Sequence, residues 1–307
     1  MLSISTAWNY KPDDDVRSRL LEIKETGLDV IEMGYRLTYN QVEGLVPLLG
    51  ELGLKVSSLH NFCPLPNDAP SPRHVSNYYR LSALDEDERR RASLWTKKTI
   101  DMAVRVKARV VIIHAGAIES LDVLSEKLLN MYKEGKKDTA EFAEVRAKLL
   151  KFRREKRGPY LESVGKTLRE VMPYAQAKKI MIGLETRYYP IEIPNFEEIG
   201  EILSEFYKQG MYYWHDVGHA EVNSRLGITP HTQYFEQYEN KLIGLHLHGV
   251  KVLRDHQAPF EGDFDLKEYF PYMKSHHIKV IESSSSATLE QVRAAVKILK
   301  KGTAPFS

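Results

Sequence analysis

The sequence of 307 residues has only one cysteine, Cys63, and no long apolar run. A single thiol cannot form an internal disulfide, so this is not a disulfide-framed fold, and we expect a reducing compartment. No stretch approaches the roughly 20 apolar residues that a membrane-spanning helix needs. The opening residues, MLSISTAWNYKPDDD, lack the basic segment and apolar core typical of a signal peptide. We therefore expect a cytoplasmic protein with no membrane partner.

The chain also lacks a strong charge of either sign, because its net charge is +2 with histidine counted as neutral. From this balance we do not expect a nucleic-acid partner, although the net charge does not exclude a local basic stripe. Four catalytic signatures are absent: the G-x-S-x-G elbow, the Walker loop, the G-x-G-x-x-G fingerprint and a Cys-x-x-Cys pair. The chemistries that depend on them are set aside.

What the sequence does contain is eight short apolar runs, seven of which end in a carboxylate or an imidazole. The first run, LSISTAW, covers residues 2–8. The others end at Glu32, His60, His114, Glu185, Asp216, His246 with His248, and Glu282. Segments of helical period alternate with the runs, which predicts a parallel sheet with helical crossovers. Eight strands favour closure, so we predict the α/β class, as one (β/α)8 TIM barrel domain over residues 1–307.

Two connections between the runs are unusually long. Residues 61–84 are rich in Pro, Asn and Ser and are predicted to form a loop over the barrel mouth. Residues 119–157 follow the fourth run and have the pattern of a helical insertion, a hairpin that turns near Gly135. Its second arm, KLLKFRREKR, is basic. We interpret this arm as a solvated face, with a partner or phosphate contact as the alternative.

The residues that end the fifth to eighth runs form the main candidate site. In a closed parallel barrel all strand ends of one kind meet at one mouth, so these side chains are expected to be neighbours. They are Glu185, Asp216, His246 and Glu282. Three carboxylates and one imidazole suit one divalent ion, Mn²⁺, Mg²⁺, Co²⁺ or Zn²⁺, and do not suit a soft thiolate-type site.

Other strand-end residues are weaker candidates. Possible additional metal or substrate ligands are His60, His114, His219 and His256. His248 lies on the same face as His246 and is a candidate to support a ligand or to bind substrate. His215 alternates with Asp216 and is expected to face the helix layer. Glu32 comes from the second run, and we expect it far round the ring from the main site, in a structural salt bridge.

Seven segments together resemble the xylose isomerase-like TIM barrels, which include sugar isomerases, sugar epimerases and the type IV apurinic endonucleases. The segments are SLHN ending at Asn61, VVIIHAG (110–116), IGLETR (182–187), HDVGHAEV (215–222), IGLHLHG (243–249), DHQAPFEGDFD (255–265) and VIESS (280–284). They run through most of the chain in the family's order. Each segment alone is weak, but the set is specific for the superfamily.

The resemblance implies roles for particular residues. In single-metal isomerases and epimerases, the ligands correspond to Glu185, Asp216, His246 and Glu282, and the two glutamates also move the proton. In the trinuclear zinc endonucleases, the positions of His60, His114, His219 and His256 are ligands as well. The chain departs from the endonucleases at Arg254, where they have an aspartate, and Asp255 is displaced by one. Their H-x-N-D run is also H-L-H-G here.

These observations predict a metal-dependent isomerase or epimerase that acts on a small carbohydrate: a sugar, a sugar phosphate or a polyol derivative. The metal would polarise a carbonyl, and one of Glu185 and Glu282 would remove the adjacent proton while the other returns it. Asn61, Arg187 and His248 are candidates to bind hydroxyl groups. The alternatives are a multinuclear zinc phosphodiesterase acting on apurinic DNA, with up to three metals, a sugar-type dehydratase, and a non-catalytic binder. The oligomeric state stays open.

Overall fold

A closed barrel of eight parallel strands forms the centre of the molecule. The computed structural model describes residues 1–11, 15–68, 78–119 and 121–302. The barrel strands are β1 (Leu2–Ser5), β2 (Val30–Met33), β3 (Lys55–His60), β4 (Val110–Ile113), β6 (Met181–Glu185), β8 (Met211–Asp216), β9 (Leu242–Leu247) and β12 (Ile278–Ile281). Two antiparallel pairs lie outside it: β5 (Gly116–Ala117) with β7 (Glu192–Ile193), and β10 (Gly249–Lys251) with β11 (Arg254–Gln257). The predicted fold class is confirmed.

Helices surround the barrel and occupy the segments of helical period. They are α1 (Val16–Glu25), α2 (Tyr39–Glu51), α3 (Glu86–Arg105), α4 (Asp122–Lys133), α5 (Ala140–Ala177), α6 (Phe196–Phe206), α7 (Val217–Arg225), α8 (His231–Tyr238) and α9 (Leu289–Gly302). The start of α6 is a capping box, because Asn195 Oδ1 accepts from the Glu198 amide at 3.0 Å and Glu198 Oε2 accepts from the Asn195 amide at 2.9 Å. Among the described residues, no helix is both long and apolar enough to cross a membrane.

The predicted helical insertion after the fourth run is present as α4 and α5, which pack against each other. The second helix is longer than the predicted arm and continues to Ala177. The interpretation of its basic run as a solvated face is wrong for one residue. Arg153 is buried, and its Nη2 donates to Glu198 Oε2 at 2.5 Å and to the Glu192 carbonyl at 2.8 Å. The insertion is therefore anchored to the barrel by a buried cation.

The floor of the barrel beneath the mouth is apolar and filled by one large side chain. Trp214 of β8 is buried there among Val110, Ile112, Ile278 and Val280. The neighbouring strand β9 makes room for the indole with a glycine, since a Cβ at Gly244 would lie 2.2 Å from an atom of the Trp214 ring. The glycine thus lets this ring close the barrel interior below the strand ends.

The long connection at 61–84 is described only at its ends, because residues 69–77 lie outside the described residues. Tyr78 and Arg80, at its described carboxyl end, line a cleft of about 480 Å³ together with Ala117. This cleft adjoins the barrel mouth, since Tyr189 and Glu192 line both. That the whole connection covers the mouth stays a prediction.

Candidate metal centre

Four residues at or next to the carboxyl ends of the last four barrel strands meet at one mouth. Glu185, Asp216, His246 and Glu282 are each at most 4% exposed. One potential ligand atom from each lies within 4.8 Å of those from the others. Parallel strands in a barrel place their carboxyl ends on one side, and alternate residues point inward. The convergence predicted from the sequence is therefore present, on the inner face of the barrel.

The imidazole of His246 is the centre of this group. Its Nδ1 lies 2.7 Å from Glu185 Oε1, 3.0 Å from Glu282 Oε2 and 3.7 Å from Asp216 Oδ2. Burial alone would lower the pKa of His246, but the carboxylates of Glu282, Glu32 and Glu185 outweigh burial and raise this pKa well above its ordinary value. Three buried carboxylates around one nitrogen require a positive charge between them. A proton or a divalent ion can supply it.

Glu32 lies on the other side of the same imidazole. Its two carboxylate oxygens are 3.1 and 3.2 Å from His246 Nε2, and Ser58 Oγ donates to Glu32 Oε2 at 2.8 Å. The expectation that Glu32 lies far from the main site is wrong, although it does form a salt bridge. With a metal ion bound, Nε2 would donate to Glu32 and leave the Nδ1 lone pair for the ion.

A second group adjoins the first at Glu185. His114 Nε2 is 2.6 Å and His60 Nε2 is 3.5 Å from Glu185 Oε2, and the three residues form a further set able to hold a metal ion. Burial and the nearby Arg187 lower the pKa of His114 to about 4. A neutral imidazole is the form that binds metals, so both histidines have the geometry and His114 has the protonation state of a ligand.

A third group contains Asp216, His219, His248 and His256. Asp216 caps helix α7, because its Oδ1 accepts from the His219 amide at 2.7 Å. His248 is positioned at both ring nitrogens: Nδ1 accepts from the His256 amide at 2.9 Å and Nε2 donates to Asp216 Oδ1 at 2.9 Å. Although burial opposes ionisation, His219 and His248 lower the pKa of Asp216 to about 2. His248 therefore orients a carboxylate and is fully buried.

Asp255 reaches between two histidines of the third group. Its Oδ2 lies 3.4 Å from His219 Nε2 and 3.0 Å from His256 Nδ1. His219 Nδ1 donates to the Thr186 carbonyl at 2.9 Å, which leaves Nε2 directed at this carboxylate. His256 has a positive φ of 53° within strand β11. The one-residue displacement of Asp255 in the sequence thus leaves a carboxylate beside both imidazoles.

Arg187 is buried beside the centre and links two carboxylates. Its Nη1 donates to Glu185 Oε2 at 2.9 Å and its Nη2 donates to Glu192 Oε1 at 2.7 Å.

His215 points away from the barrel interior, as predicted, and its Nε2 lies 3.0 Å from His231 Nε2 in the helix layer. The predicted candidates are thus all at the mouth, and the residue predicted to face outward does so.

The centre opens into a cleft of about 620 Å³, a size typical of sites for small molecules. Of the candidate residues, Glu185, Glu282, His60, His114, Arg187, His219 and His256 line it. Sequence reasoning missed other lining side chains, among them Tyr35, Arg36, Tyr188 and Glu192. These lie in loops or in a two-residue strand, where no periodic pattern could have identified them. Glu32, by contrast, could have been recognised from the sequence, since it ends one of the apolar runs.

The donor set fits a hard divalent ion. Glu185, Asp216 and Glu282 are buried carboxylates whose pKa values are lowered by neighbouring histidines against the effect of burial. They are ionised at neutral pH and converge with His246 Nδ1. Oxygen-rich sets with one imidazole are typical of Mn²⁺, Mg²⁺, Co²⁺ and Zn²⁺ sites.

Comparison with known proteins gives the family and the fold. A model of the xylose isomerase-like TIM barrel family matches residues 20–302. Similar solved structures include a D-tagatose 3-epimerase-like protein, at 16% identity and TM-score 0.67 over 98% of this chain and 96% of that chain. The 3-keto-D-glucoside 4-epimerase from E. coli has 13% identity and TM-score 0.66 over 98% of each chain.

A third similar structure is the D-allulose 3-epimerase from Methylomonas sp. in complex with D-allulose. It has 13% identity and TM-score 0.68 over 98% of this chain and 96% of that chain. At these identities the likeness establishes the fold. No curated protein sequence gives a significant match.

Proposed function

Because the chain belongs to the xylose isomerase-like TIM barrel family, we propose that it is a divalent-metal-dependent isomerase or epimerase of a small carbohydrate. The observation that carries the proposal is the arrangement at His246, whose Nδ1 faces Glu185, Asp216 and Glu282. Sugar epimerases among the similar structures support the substrate class. The cleft above this centre has the volume for one small sugar.

Glu185, Asp216, His246 and Glu282 would hold the metal, with Glu32 fixing the ring of His246. When bound, a divalent ion would act as a Lewis acid and polarise a substrate carbonyl, which acidifies the neighbouring C–H. The carboxylates of Glu185 and Glu282 would then transfer the proton. Both Glu185 and Glu282 line the cleft and are ionised, so each has the charge state of a base.

The two glutamates differ in how strongly they are held. Glu185 accepts from Arg187 at 2.9 Å and lies 2.6 Å from His114 Nε2 and 2.7 Å from His246 Nδ1, so both of its oxygens are engaged. For Glu282, the contacts within the described residues all involve Oε2, at 3.0 Å from His246 and 3.7 Å from His256. Its Oε1 is therefore the oxygen best placed to take a proton from a substrate carbon. In the reverse direction Glu185 takes the proton and Glu282 returns it.

The neighbouring groups orient the reactants. Arg187 holds Glu185 and Glu192 in fixed positions and itself lines the cleft, so it can bind a substrate hydroxyl. His248 does not line the cleft, and both of its ring nitrogens are used within the protein. We therefore assign His248 the support of Asp216 and assign substrate hydroxyls to Arg187 and the histidines that line the cleft.

The test is solvent exchange on a panel of free and phosphorylated ketoses. The protein is stripped with a chelator, reloaded with Mn²⁺, Co²⁺, Mg²⁺ or Zn²⁺, and incubated with each sugar in D₂O while NMR follows the products. We expect a new epimer or isomer that carries deuterium at the reacting carbon, and none with stripped protein. A dehydratase would instead give a product that has lost water. Equal turnover with and without metal would refute the proposal.

A multinuclear zinc phosphodiesterase is the second candidate, and one observation favours it. Two further sets of potential ligands lie beside the main one. The first contains His60, His114 and Glu185, and the second contains Asp216, His219, His248 and His256, with Asp255 next to it. Metal content separates the candidates. One tightly held ion per chain supports the isomerase, whereas three zinc ions with cleavage of an oligonucleotide containing an abasic site would support the phosphodiesterase.

A further inference from the structure

Three cations stand around the mouth of the cleft and come from separate connections. They are Arg36, between β2 and α2, Lys133, at the end of α4, and Arg254, at the start of β11. We call them the rim cations. In the described parts of the chain, none of the three has a carboxylate within ion-pairing distance of 4.0 Å. Charges on one solvated helix face would share an element, whereas these come from three separate parts of the fold and line one cleft.

Arg36 is the most constrained of the rim cations. Its side chain is half-buried, and its guanidinium carbon lies 5.6 Å from the centre of the Tyr35 ring. Tyr35 in turn packs edge-on against His60, with ring centres 5.0 Å apart. The Arg36 Nε atom is buried and has no hydrogen-bond partner among the described residues. This donor is therefore not used by a protein acceptor in the described residues, and in the cleft it can donate to an acceptor on a ligand.

The carboxylates that line the same cleft do not neutralise the rim cations. Glu185 and Glu192 are paired with Arg187, at 2.9 and 2.7 Å. Asp255 lies against His219 and His256, and Glu282 lies against His246. The carboxylates of the cleft are thus engaged by Arg187 and by the histidines of the centre, and they do not pair with the rim cations. A ligand with a neutral reacting end and an anionic far end would match this separation of charge.

We propose that the substrate carries an anionic group, a phosphate or a carboxylate, at the end remote from the reacting carbons, and that Arg36 binds it with help from Lys133 and Arg254. This inference rests on the proposed function and narrows its substrate to an anionic sugar. Arginine supplies paired N–H donors that match the oxygens of phosphate or carboxylate. The anionic group would lie at the rim while the carbonyl and its neighbouring hydroxyl reach the metal centre.

The test is a binding measurement that does not need turnover. Calorimetry on the metal-loaded protein compares a hexitol, its 6-phosphate and the corresponding hexonate, none of which can undergo the reaction. We expect at least one of the two anionic ligands to bind at least tenfold more tightly than the hexitol. Arg36→Gln should remove this advantage and Arg36→Lys should keep part of it. Whichever anion shows the larger Arg36-dependent advantage identifies the group as phosphate or carboxylate.

Arg169→Gln is the matched control, because Arg169 is an exposed arginine of α5 that pairs with Glu205 at 2.8 Å away from the cleft. It should leave the advantage unchanged. If Arg36→Gln does not fold, Arg254→Gln replaces it, with a smaller loss expected. Equal affinity for the hexitol and both anions, or an anion advantage that survives Arg36→Gln and Arg254→Gln, would overturn the proposal.

The two proposals fail separately. Exchange of deuterium into neutral ketoses, with no gain from an anionic group, would refute the anion site and leave the isomerase or epimerase intact. Binding of the anionic ligands that depends on Arg36, with no deuterium exchange on any sugar, would support the anion site and refute the proposed reaction.

Discussion

At the scale of single residues, His246 organises the centre through its two ring nitrogens. Nδ1 faces three carboxylates and Nε2 faces Glu32, so the ring links a strand-end site to a carboxylate across the barrel interior. A carboxylate behind a ligating histidine raises the basicity of the ring and fixes its orientation. Glu32 would therefore act on a bound metal through His246 and without touching it.

The first prediction concerns Glu32→Gln. Glutamine keeps an oxygen that can accept from His246 Nε2 but removes the charge, so we expect metal affinity to fall by about 10–100-fold while kcat at saturating metal changes less. Competition with a chelating dye measures the affinity. Glu88→Gln, which alters a half-buried glutamate paired with Arg80 outside the centre, is the control. An affinity equal to that of the wild type would reduce Glu32 to a structural residue.

The second prediction concerns His277 and the response to acid. Burial, with smaller effects of His276 and Lys279, lowers the pKa of His277 to about 4. In the unfolded chain the His277 ring therefore takes up a proton near pH 6.5, whereas in the folded chain it stays neutral until the pH is much lower. The stabilisation is present above pH 6.5 and is lost as the pH falls towards 4.

Urea unfolding of wild type and His277→Phe at pH 7 and pH 5 measures this effect. We expect the free energy of unfolding to fall less between these pH values in the variant, because it lacks the titrating ring. A matched replacement of the exposed neighbour, His276→Phe, should keep the slope of the wild type. The assignment would be wrong if His277→Phe and the wild type lost stability in parallel.

At the scale of elements, the insertion of α4 and α5 is joined to the barrel through Arg153. This guanidinium is buried against Glu198, the residue that also closes the capping box of α6. One interaction therefore fixes both the insertion and the start of a barrel helix. The rim cation Lys133 belongs to the same insertion, so the position of the insertion determines where Lys133 lies at the cleft.

The third prediction follows from this contact. Arg153→Met leaves Glu198 as a buried carboxylate with only the more distant Arg157 nearby, and breaking such a pair costs about 3–5 kcal/mol. Arg154→Met removes the same charge from the exposed neighbouring position and should cost less than about 0.5 kcal/mol. Denaturant titration of both variants provides the measurement. Equal stability of the two would show that the buried pair contributes nothing.

At the scale of the whole molecule, the barrel explains both what the sequence could predict and what it could not. The strand ends from His60 to Glu282 were found because period-two burial and parallel topology place them at one mouth by necessity. The position of Glu32 was predicted wrongly because the order of the strands gives only their separation around the barrel wall. It does not give the distance across the barrel interior. Across the narrow interior, β2 and β9 bring Glu32 and His246 within 3.1 Å.

The rim cations and the anchor of the insertion were beyond sequence reasoning for a different reason. Arg36 and Arg254 lie in connections without a periodic pattern. The sequence alone therefore does not indicate that their side chains line the cleft. Arg153 lies in a basic run whose other members are mainly exposed, and only the packing of α5 beside α6 shows that this one is buried. Loop direction and helix placement are properties of the assembled fold.

The measurement that tests the central claim most directly is solvent exchange by Glu282→Gln loaded with metal. Glutamine keeps the shape and an oxygen ligand but cannot take a proton, so retained metal content separates a lost base from a lost ligand. We expect turnover of the true substrate to fall by at least about 10²-fold, within the ~10²–10⁴ of a general base. Because Glu282 is proposed to remove the proton, deuterium exchange into the substrate should stop together with turnover. Turnover near the wild-type rate with full metal content would contradict the two-glutamate mechanism.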